Sequence, residues 1–326
     1  MPLLEIKNLK TFFKTKKGIV KAVNDVSYSL EAGKTIGIVG ESGSGKSVSA
    51  MSILRLLDGN GYIDSGSIQF EGRELTTLSM DEMYALRGNA ISVIFQEPMT
   101  SLNPVFTVDR QLSEPFIIHQ GMSKKEAHEQ ALKMLYDVQI PNPEAVIKQY
   151  PHQLSGGMRQ RVMIAMALAA QPRLIIADEP TTALDVTIQA QILELLQDIK
   201  NKIDGSILLI THDLGVIAEM ADYVVVMYAG KVIEKGTVME IFQDPRHPYT
   251  IGLQKSKPTM TLDDDVELYN IPGNVPNPTN MPNHCYFKER CAQCTACCNG
   301  DYPEMVQVSP THFVACHLYR EEADHE

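Results

Sequence analysis

Residues 40–47 read Gly-Glu-Ser-Gly-Ser-Gly-Lys-Ser and fit the pattern G-x-x-x-x-G-K-[ST]. The apolar run TIGIV (35–39) precedes them, and a helical pattern over residues 47–57 follows. Small residues let a backbone wrap around phosphates, while the N–H groups of the loop and of the helix N-terminus supply positive potential. The sequence therefore predicts a phosphate-binding loop, with Lys46 on the β and γ phosphates and Ser47 on Mg²⁺. The predicted nucleotide-binding residues of the loop are Gly40, Ser42, Gly43, Ser44, Gly45, Lys46 and Ser47.

Two kinds of strand pattern surround this loop. Partly alternating segments bounded by Gly, Lys or Asp begin at Leu3, Val20 and Gly66, and they predict an antiparallel sheet. Compact apolar runs without clean alternation are typical of strands buried on both faces of a parallel sheet. These runs are TIGIVG (35–40), ISVIFQ (91–96), LIIADE (174–179), SILLITH (206–212) and YVVVMYAG (223–230).

Between Gln96 and Gln171 the strand patterns disappear and helical patterns replace them, notably over residues 124–138 and 156–170. This change predicts a helical subdomain over about residues 97–171. The predicted fold class is therefore α/β, with a mixed, mainly parallel core sheet and an antiparallel β subdomain. A helical insertion and a small Cys-rich C-terminal extension complete the prediction.

Length and composition exclude several classes of protein. The chain has 326 residues, 44% of them hydrophobic, and a formal net charge of −11. Its longest apolar run, residues 162–170, is about half of the roughly 20 residues that cross a bilayer. The N-terminus has no apolar signal region, so we expect neither a membrane span nor export. The acidic balance argues against nucleic acid as a partner.

The composition changes after residue 257, and the length suits about two domains. The last 69 residues hold 7 of the 18 prolines and all six cysteines. We therefore predict a boundary near Pro258 between a nucleotide-binding domain (1–257) and an extension (258–326). The acidic run 263–265 is interpreted as a solvated linker.

Two carboxylates end the apolar run LIIADE. Asp178 at a strand end could hold Mg²⁺, and Glu179 could act as general base on the attacking water. A strand that ends in solvated acids is the plainer alternative. The phosphate loop earlier in the chain favours the catalytic interpretation.

A second glycine-rich segment, Leu-Ser-Gly-Gly-Met-Arg-Gln (154–160), precedes a long helical pattern. Ser155 is placed to cap that helix, and Gly156 and Gly157 leave backbone N–H groups open. Taken alone, this segment is interpreted as a capped helix without a ligand. Its position between the two previous motifs favours a binding role.

The order of these motifs resembles that of ATP-binding cassette ATPases. After the phosphate loop come the LSGGM segment, the IIADEP strand, Thr-Ala-Leu-Asp (182–185) and Ile-Thr-His-Asp (210–213). The resemblance covers about residues 3–257. It implies ATP and Mg²⁺ as ligands, and a head-to-tail dimer in which Ser155, Gly156 and Gly157 of one subunit close over the ATP held by the other.

The resemblance also implies roles for residues that spacing alone leaves open. Gln96 resembles the glutamine that senses Mg²⁺ and the attacking water, and His212 resembles the switch histidine at the γ-phosphate. Asp185 would lie across the dimer interface. Phe13 resembles the aromatic residue that stacks on adenine. Phe12 is its competitor, because alternation along a strand lets only one of the two face the nucleotide.

Three further segments resemble the ATPase subunits of oligopeptide and dipeptide permeases: residues 96–104, 150–168 and 246–250. This branch implies a peripheral ATPase on the cytoplasmic face of the membrane and an importer of di- or oligopeptides. It implies two integral membrane permease subunits, a second and different ATPase subunit, and an extracytoplasmic peptide-binding protein. A nickel or metal-chelate importer is the alternative, since those importers use related ATPases. A soluble cassette ATPase acting on DNA or ribosomes is disfavoured, because such proteins carry coiled-coil insertions or tandem cassettes.

The cysteines of the extension match the pattern C-x5-C-x6-C followed by C-H in the same family. The resemblance implies a [4Fe–4S] cluster on four of them, and four thiolates satisfy its ligand count. Two additional cysteines leave the ligand choice open, and a zinc site of four cysteines is an alternative. The predicted ligands are Cys285, Cys291, Cys298 and Cys316, with Cys294 and Cys297 as alternatives.

Overall fold

The computed structural model describes residues 1–182, 184–256 and 269–319. The predicted boundary near Pro258, the acidic run 263–265 and Ala183 lie outside these residues. The described chain forms two compact units. The first unit comprises Met1–Leu30, Ile36–Thr76 and the described residues from Thr211 onward, and the second comprises Glu31–Thr35 and Thr77–Ile210.

Strands occur where the apolar patterns predict them, and some occur elsewhere. In chain order they are β1 (Leu4–Thr15), β2 (Gly18–Leu30), β3 (Thr35–Val39), β4 (Gly61–Phe70), β5 (Arg73–Glu74), β6 (Ile91–Ile94), β7 (Leu174–Asp178), β8 (Ser206–Ile210), β9 (Tyr223–Tyr228), β10 (Lys231–Thr237), β11 (Val306–Gln307) and β12 (Phe313–Val314).

The helices fall mostly between the strands of the parallel group. In chain order they are α1 (Lys46–Ile53), α2 (Met80–Leu86), α3 (Pro98–Ser101), α4 (Val108–Gln120), α5 (Lys124–Asp137), α6 (Pro143–Val146), α7 (Gly156–Leu168), α8 (Val186–Ile203), α9 (Leu214–Met220), α10 (Val238–Gln243) and α11 (Pro248–Lys255). Four short 3₁₀ turns accompany them, at Pro151–Gln153, Lys288–Arg290, Ala296–Asn299 and His317–Tyr319.

The first unit contains an antiparallel sheet and a mixed group of strands. The sheet has the order β2-β1-β4-β5; alternation puts Leu4 and Ile6 into the core, and a register shift after Ile6 puts Leu9 there as well. The mixed group has the order β11-β12-β10-β9-β3, in which β3 pairs parallel with β9 and β10 pairs antiparallel with β9. Because β3 is buried along its whole length, its sequence does not alternate between apolar and polar residues.

The second unit combines parallel strands with the helical subdomain. Its strands have the order β8-β7-β6 and pair parallel to one another. No strand occurs over residues 97–171, all of which are described, and α4, α5 and α7 pack together there. Phe116, Ala127 and Ala169 form part of their buried core.

These elements confirm the predicted α/β fold, including the antiparallel part and the helical insertion. Two details differ. The first helix ends at Ile53 instead of residue 57, since Arg55 adopts a positive φ of 52° that a helix cannot continue through. The helix α4 lies in the predicted helical subdomain, but Pro115 interrupts its pattern, and the sequence did not predict its bounds. None of the helices in the described ranges has the length and apolar character that a bilayer span requires.

Candidate functional site

The phosphate loop, residues 40–47, connects β3 to α1 in the first unit, and its glycines are conformationally required. Gly40, Gly43 and Gly45 have φ angles of 153°, 77° and 95°, which side-chain-bearing residues rarely adopt. A Cβ added at Gly40 would lie 2.2 Å from the carbonyl oxygen of Met227, and one at Gly45 would lie 2.3 Å from that of Ala22. The loop can therefore follow this path only with glycine at these positions.

Two polar side chains of the loop, those of Ser44 and Lys46, are buried. Lys46 is buried, and its Nζ donates hydrogen bonds to the carbonyl oxygens of Gly40 (2.7 Å) and Glu41 (3.1 Å). The Ser44 hydroxyl is buried and has no hydrogen-bond partner in the described chain. A buried hydroxyl of this kind needs a partner, and a phosphate oxygen can supply one. Ser47 is the second residue of α1 and is half-buried.

A cleft of about 510 Å³ opens beside this loop, and we call it the phosphate-loop cleft. Phe13 lines it, whereas Phe12 is buried on the other face of β1 and meets the Tyr62 ring edge-on at a centroid distance of 6.3 Å. The structure thus places Phe13, and not Phe12, next to the loop. The cleft is lined by Phe13, Val20, Lys21, Ala22, Ser42, Gly43, Gly45, Val48, Ala229, Gly230, Val275, Pro276, Asn277, Pro278 and Met281.

Five of these lining residues belong to the described part of the C-terminal extension, residues 269–319. The sequence predicts no site role for these five residues, which are Val275, Pro276, Asn277, Pro278 and Met281. No periodic pattern or motif marks them, since they lie in an irregular Pro- and Asn-rich stretch. Only the folded chain brings them to the phosphate loop.

Glu179 lies at the end of β7 in the second unit. Its backbone has a positive φ of 47°, a strained conformation for a residue with a side chain, and such strain is typical of functional positions. Its carboxylate oxygen Oε2 accepts hydrogen bonds from Gln96 Nε2 (3.0 Å) and Thr182 Oγ1 (2.9 Å). The neighbouring Asp178 is buried. The structure therefore brings the predicted base and the predicted glutamine together.

A second cleft, of about 480 Å³, lies in the second unit and contains the other glycine-rich motif. Ser155 caps α7 as predicted, because its hydroxyl accepts a hydrogen bond from the Met158 N–H (3.3 Å). Asp185 caps α8 by accepting from the Ile188 N–H (2.9 Å). We call this the signature cleft, and it is lined by Gln139, Pro141, Ser155, Gly156, Gly157, Met158, Arg161, Leu184, Asp185, Ile188 and Gln191.

Arg161 is a lining residue of the signature cleft that the sequence analysis missed. It is buried, and its guanidinium donates to the carbonyl oxygen of Val138 (2.7 Å) and to Gln191 Oε1 (3.0 Å). Burial lowers the pKa of Arg161 from its ordinary value. The arginine thus joins the middle of α7 to the end of α5 and to α8.

His212 follows β8 and is exposed in the first unit. The preceding residue, Thr211, donates its N–H to the carbonyl oxygen of Ile38 in β3 (3.2 Å). The histidine is therefore anchored next to the strand that leads into the phosphate loop.

The six cysteines are all free thiols. Burial raises the pKa of Cys285 to about 11, and the thiols of Cys298 and Cys291 contribute to the same rise. The pKa of Cys316 is raised to about 11 by burial and by its proximity to these three thiols. Within the described ranges, however, no three His, Cys, Asp or Glu side chains are arranged to hold a metal ion. The predicted metal centre is not confirmed.

Sequence comparisons give two family matches and several full-length relatives. Residues 23–182 match the family described as ABC transporter, and residues 233–298 match the oligopeptide/dipeptide transporter C-terminal region. The chain is 52% identical to the oligopeptide transport ATP-binding protein OppD of Bacillus subtilis, over 98% of this chain and 90% of that protein. It is 50% identical to AppD of the same organism, over 98% of both chains. OppD of Salmonella typhimurium is 50% identical over 96% of this chain and 93% of its own length.

Solved structures show the same fold. A dimeric ATP-binding cassette, MJ0796, bound to ADP and Pi in a post-hydrolysis state, superposes with a TM-score of 0.65 and 29% identity. The match covers 72% of this chain and 98% of that one. The structure of cbiO1 from Clostridium perfringens has a TM-score of 0.63 at 24% identity, covering 78% and 95% of the two chains.

Proposed function

Because the chain belongs to the ABC transporter family of oligopeptide transport ATP-binding proteins, we propose that it is the ATP-hydrolysing subunit of an importer for di- or oligopeptides. The observation that carries the peptide assignment is the roughly 50% identity over nearly the whole chain, which includes the C-terminal region as well as the ATPase core. The proposal includes the division into a nucleotide-binding domain (1–257) and an extension (258–326).

The phosphate loop is proposed to bind the triphosphate of ATP. Lys46 neutralises charge on the β and γ phosphates, and the glycine backbone of the loop donates N–H groups to them. The buried, unpartnered hydroxyl of Ser44 supports this assignment. Phe13 is proposed to stack on adenine, which its place in the phosphate-loop cleft supports.

Glu179 is proposed as the general base. It takes a proton from the water that attacks the γ-phosphorus, and the bond between that phosphorus and the β,γ-bridging oxygen breaks to release ADP. The hydrogen bonds from Gln96 and Thr182 support the assignment, since they hold the carboxylate in one orientation. His212 is proposed to contact the γ-phosphate.

Ser47, Gln96 and Asp178 are the proposed Mg²⁺ residues. A hydroxyl, an amide and a carboxylate are oxygen ligands of the kind that Mg²⁺ prefers, so the donor set fits the ion. When bound, the ion would offset the negative charge of the phosphates.

The signature cleft is proposed to serve the ATP of a second, different ATPase subunit. The Ser155 cap and the open backbone of Gly156 and Gly157 suit phosphate oxygens at the N-terminus of α7. Asp185 is proposed to lie at the interface with that subunit. One chain would therefore contribute half of each of two sites.

Two integral membrane permease subunits and an extracytoplasmic peptide-binding protein are the proposed transport partners, with this chain peripheral on the cytoplasmic face. The segment near α3 supports a docking role, because its large apolar side chains are exposed. They include Phe95 (41%), Met99 (64%) and Val105 (69%). Burial of these side chains against a permease subunit would couple ATP-driven closure to transport.

Growth on peptides tests the proposed function. A deletion strain that requires one amino acid is supplied with it only as a dipeptide or a longer peptide, and nickel uptake is measured in parallel. We expect peptide-dependent growth to fail, nickel uptake to stay normal, and the wild-type gene to restore growth. Intact peptide growth with lost nickel uptake would transfer the assignment to metal import.

We also propose that the extension holds a [4Fe–4S] cluster. Its ligands would be Cys285, Cys291, Cys298 and Cys316. Its support is the number of thiols and the proximity of Cys285, Cys291 and Cys298 to Cys316, which contributes to the raised pKa of Cys316. The cluster would cross-link an extension that has little regular structure.

To test for the cluster, iron and acid-labile sulfide are measured after anaerobic purification. We expect Cys285→Ser to lose both and Cys294→Ser to retain them, and absence of both from the wild-type protein would reject the cluster.

A further inference from the structure

The phosphate-loop cleft has a wall that the ATPase core does not supply. Val275, Pro276, Asn277 and Pro278 form a continuous part of its lining, and Met281 adds a flexible apolar side chain. All of them belong to the first unit, as do Phe13 and the loop itself. The extension therefore reaches the place where the triphosphate of ATP is proposed to bind.

Hydrogen bonds fix this wall in position. The Lys21 N–H of β2 donates to the carbonyl oxygen of Pro278 (3.1 Å), which docks the segment on the antiparallel sheet. The side-chain oxygen of Asn277 accepts from the N–H (3.0 Å) and hydroxyl (2.7 Å) of Thr279, which forms a local turn. Two prolines restrict the backbone further. The segment therefore has a defined conformation that hydrogen bonds within the chain support.

One arginine joins the wall to the phosphate loop. Arg290 Nε donates to the carbonyl oxygen of Pro272 (2.8 Å), just before the wall. Its Nη1 and Nη2 donate to the two carboxylate oxygens of Glu41, at 2.8 and 3.0 Å. Glu41 is the second residue of the loop, and its N–H donates to the Tyr249 hydroxyl (2.8 Å). A bidentate pair of this kind has a defined geometry, so loop and wall keep a fixed spacing.

We propose that residues 275–278 and Met281 form, together with Phe13, the binding site for the base and ribose of ATP. The chemistry of the lining supports this: beyond the loop it is mostly apolar, with Val20, Ala22, Val48, Val275, Pro276 and Met281. A flat base gains free energy when such side chains cover it. The inference rests on the proposed function, because it takes ATP as the ligand.

Binding of two ligands to the full-length protein tests the inference. ATP and inorganic tripolyphosphate share the phosphates, but only ATP carries a base and a ribose. For Met281→Ala we expect about three- to tenfold weaker ATP binding by calorimetry, from the loss of apolar contact, and unchanged tripolyphosphate binding. The matched control is Met239→Ala, an exposed methionine of α10 outside the cleft, which should change neither.

Each remaining outcome is decisive. Unchanged ATP binding in Met281→Ala, or an equal loss for both ligands, would overturn the inference while leaving ATP binding by the wild type intact. If the wild-type protein binds neither ligand, the proposed function itself fails.

A second measurement needs no variant and covers the case in which Met281→Ala does not fold. Hydrogen exchange of the wild-type amides of Val275, Asn277 and Met281 is followed with each ligand. We expect ATP to slow exchange at these amides and tripolyphosphate to leave it unchanged. Equal protection by both ligands, or protection by neither, would overturn the inference.

Discussion

The ATPase core and the extension are built in different ways. The phosphate loop lies between a buried strand and a helix, and backbone hydrogen bonds hold both of these elements. Regular structure in the described part of the extension is limited to two-residue strands and 3₁₀ turns. Besides the short backbone pairing of β12 with β10 and the hydrogen bond from the Lys21 N–H to Pro278, side chains hold it, and Arg290 is the main example. In the proposed ATP site, regular secondary structure therefore positions one wall, and individual polar contacts position the other.

A second buried side chain, that of Glu234, also joins the core to the extension. Glu234 of β10 is fully buried and accepts hydrogen bonds from the backbone N–H groups of Arg246 (2.6 Å) and His247 (2.9 Å). Its Oε1 is 2.8 Å from His312 Nε2 in the extension. A single carboxylate of the core thus fastens the chain before α11 and the end of the extension.

The largest expected effect separates chemistry from binding in the core. Glu179→Gln should lower the ATPase rate about 1,000-fold, because the amide cannot accept the proton of the attacking water. ATP binding should persist, since the phosphate loop is unchanged. Steady-state phosphate release and ATP binding are measured with the reconstituted transporter. Glu194→Gln, an exposed glutamate of α8, is the control and should keep the normal rate. Normal turnover in Glu179→Gln would reject the base assignment.

The next effect concerns the link between the two regions. The Arg290 side chain is 6% exposed and that of Glu41 is 28% exposed. Arg290→Gln should therefore lower the free energy of unfolding by about 3 kcal/mol, because it leaves a partly buried carboxylate unpaired. Urea unfolding measures the loss.

Glu289→Gln is the matched control for this prediction. It removes the neighbouring ion pair with Lys288, in which Glu289 is 78% exposed. Exposed pairs contribute about 0–1 kcal/mol, so little change is expected. Equal effects of the two variants would show that the buried pair does not fasten the extension.

An effect of similar size depends on pH. Burial lowers the pKa of His247 to about 4, while its value in an unfolded chain is near 6.5. The unfolded state therefore binds a proton first as the pH falls, and stability is lost between about pH 6.5 and pH 4. We expect the wild type to lose about 3 kcal/mol more over this window than His247→Asn. Asparagine retains a side-chain acceptor for the N-cap of α11. Parallel pH profiles of the two proteins would contradict the prediction.

The smallest effect compares the neighbouring phenylalanines of β1. Phe13→Ala should weaken ATP binding about tenfold, from loss of stacking on the base. Phe12→Ala should instead lower the melting temperature, because it removes a core side chain. Calorimetric titration and thermal unfolding distinguish the two. Weaker binding in Phe12→Ala with normal binding in Phe13→Ala would reverse the assignment.

The sequence predicts the ATPase core better than the contacts that join the core to the extension. The buried strands β3, β7, β8 and β9 are apolar runs bounded by glycine or charge, so the sequence predicted them. It did not predict β10, whose run contains the buried Glu234 and two lysines. A charged residue within a strand pattern indicates a surface position unless its partners are known. For Glu234 these partners are His312 and two backbone amides.

The candidate site shows the same limit. Motif order pointed to Phe13, Lys46 and Glu179, and strand alternation allowed only one of the two phenylalanines to face the cleft. Nothing in the order of residues indicated that Met281 would line the same cleft as Phe13. That placement depends on long-range packing, which local patterns do not encode.

The ion pair between Glu41 and Arg290 also has a consequence for biosynthesis. Its two residues are 249 positions apart. During translation, the phosphate loop leaves the ribosome long before the residue that tethers it, and contacts between such distant residues form late in folding. A prematurely terminated chain would therefore have a complete nucleotide motif but lack the fastening that joins this loop to the extension.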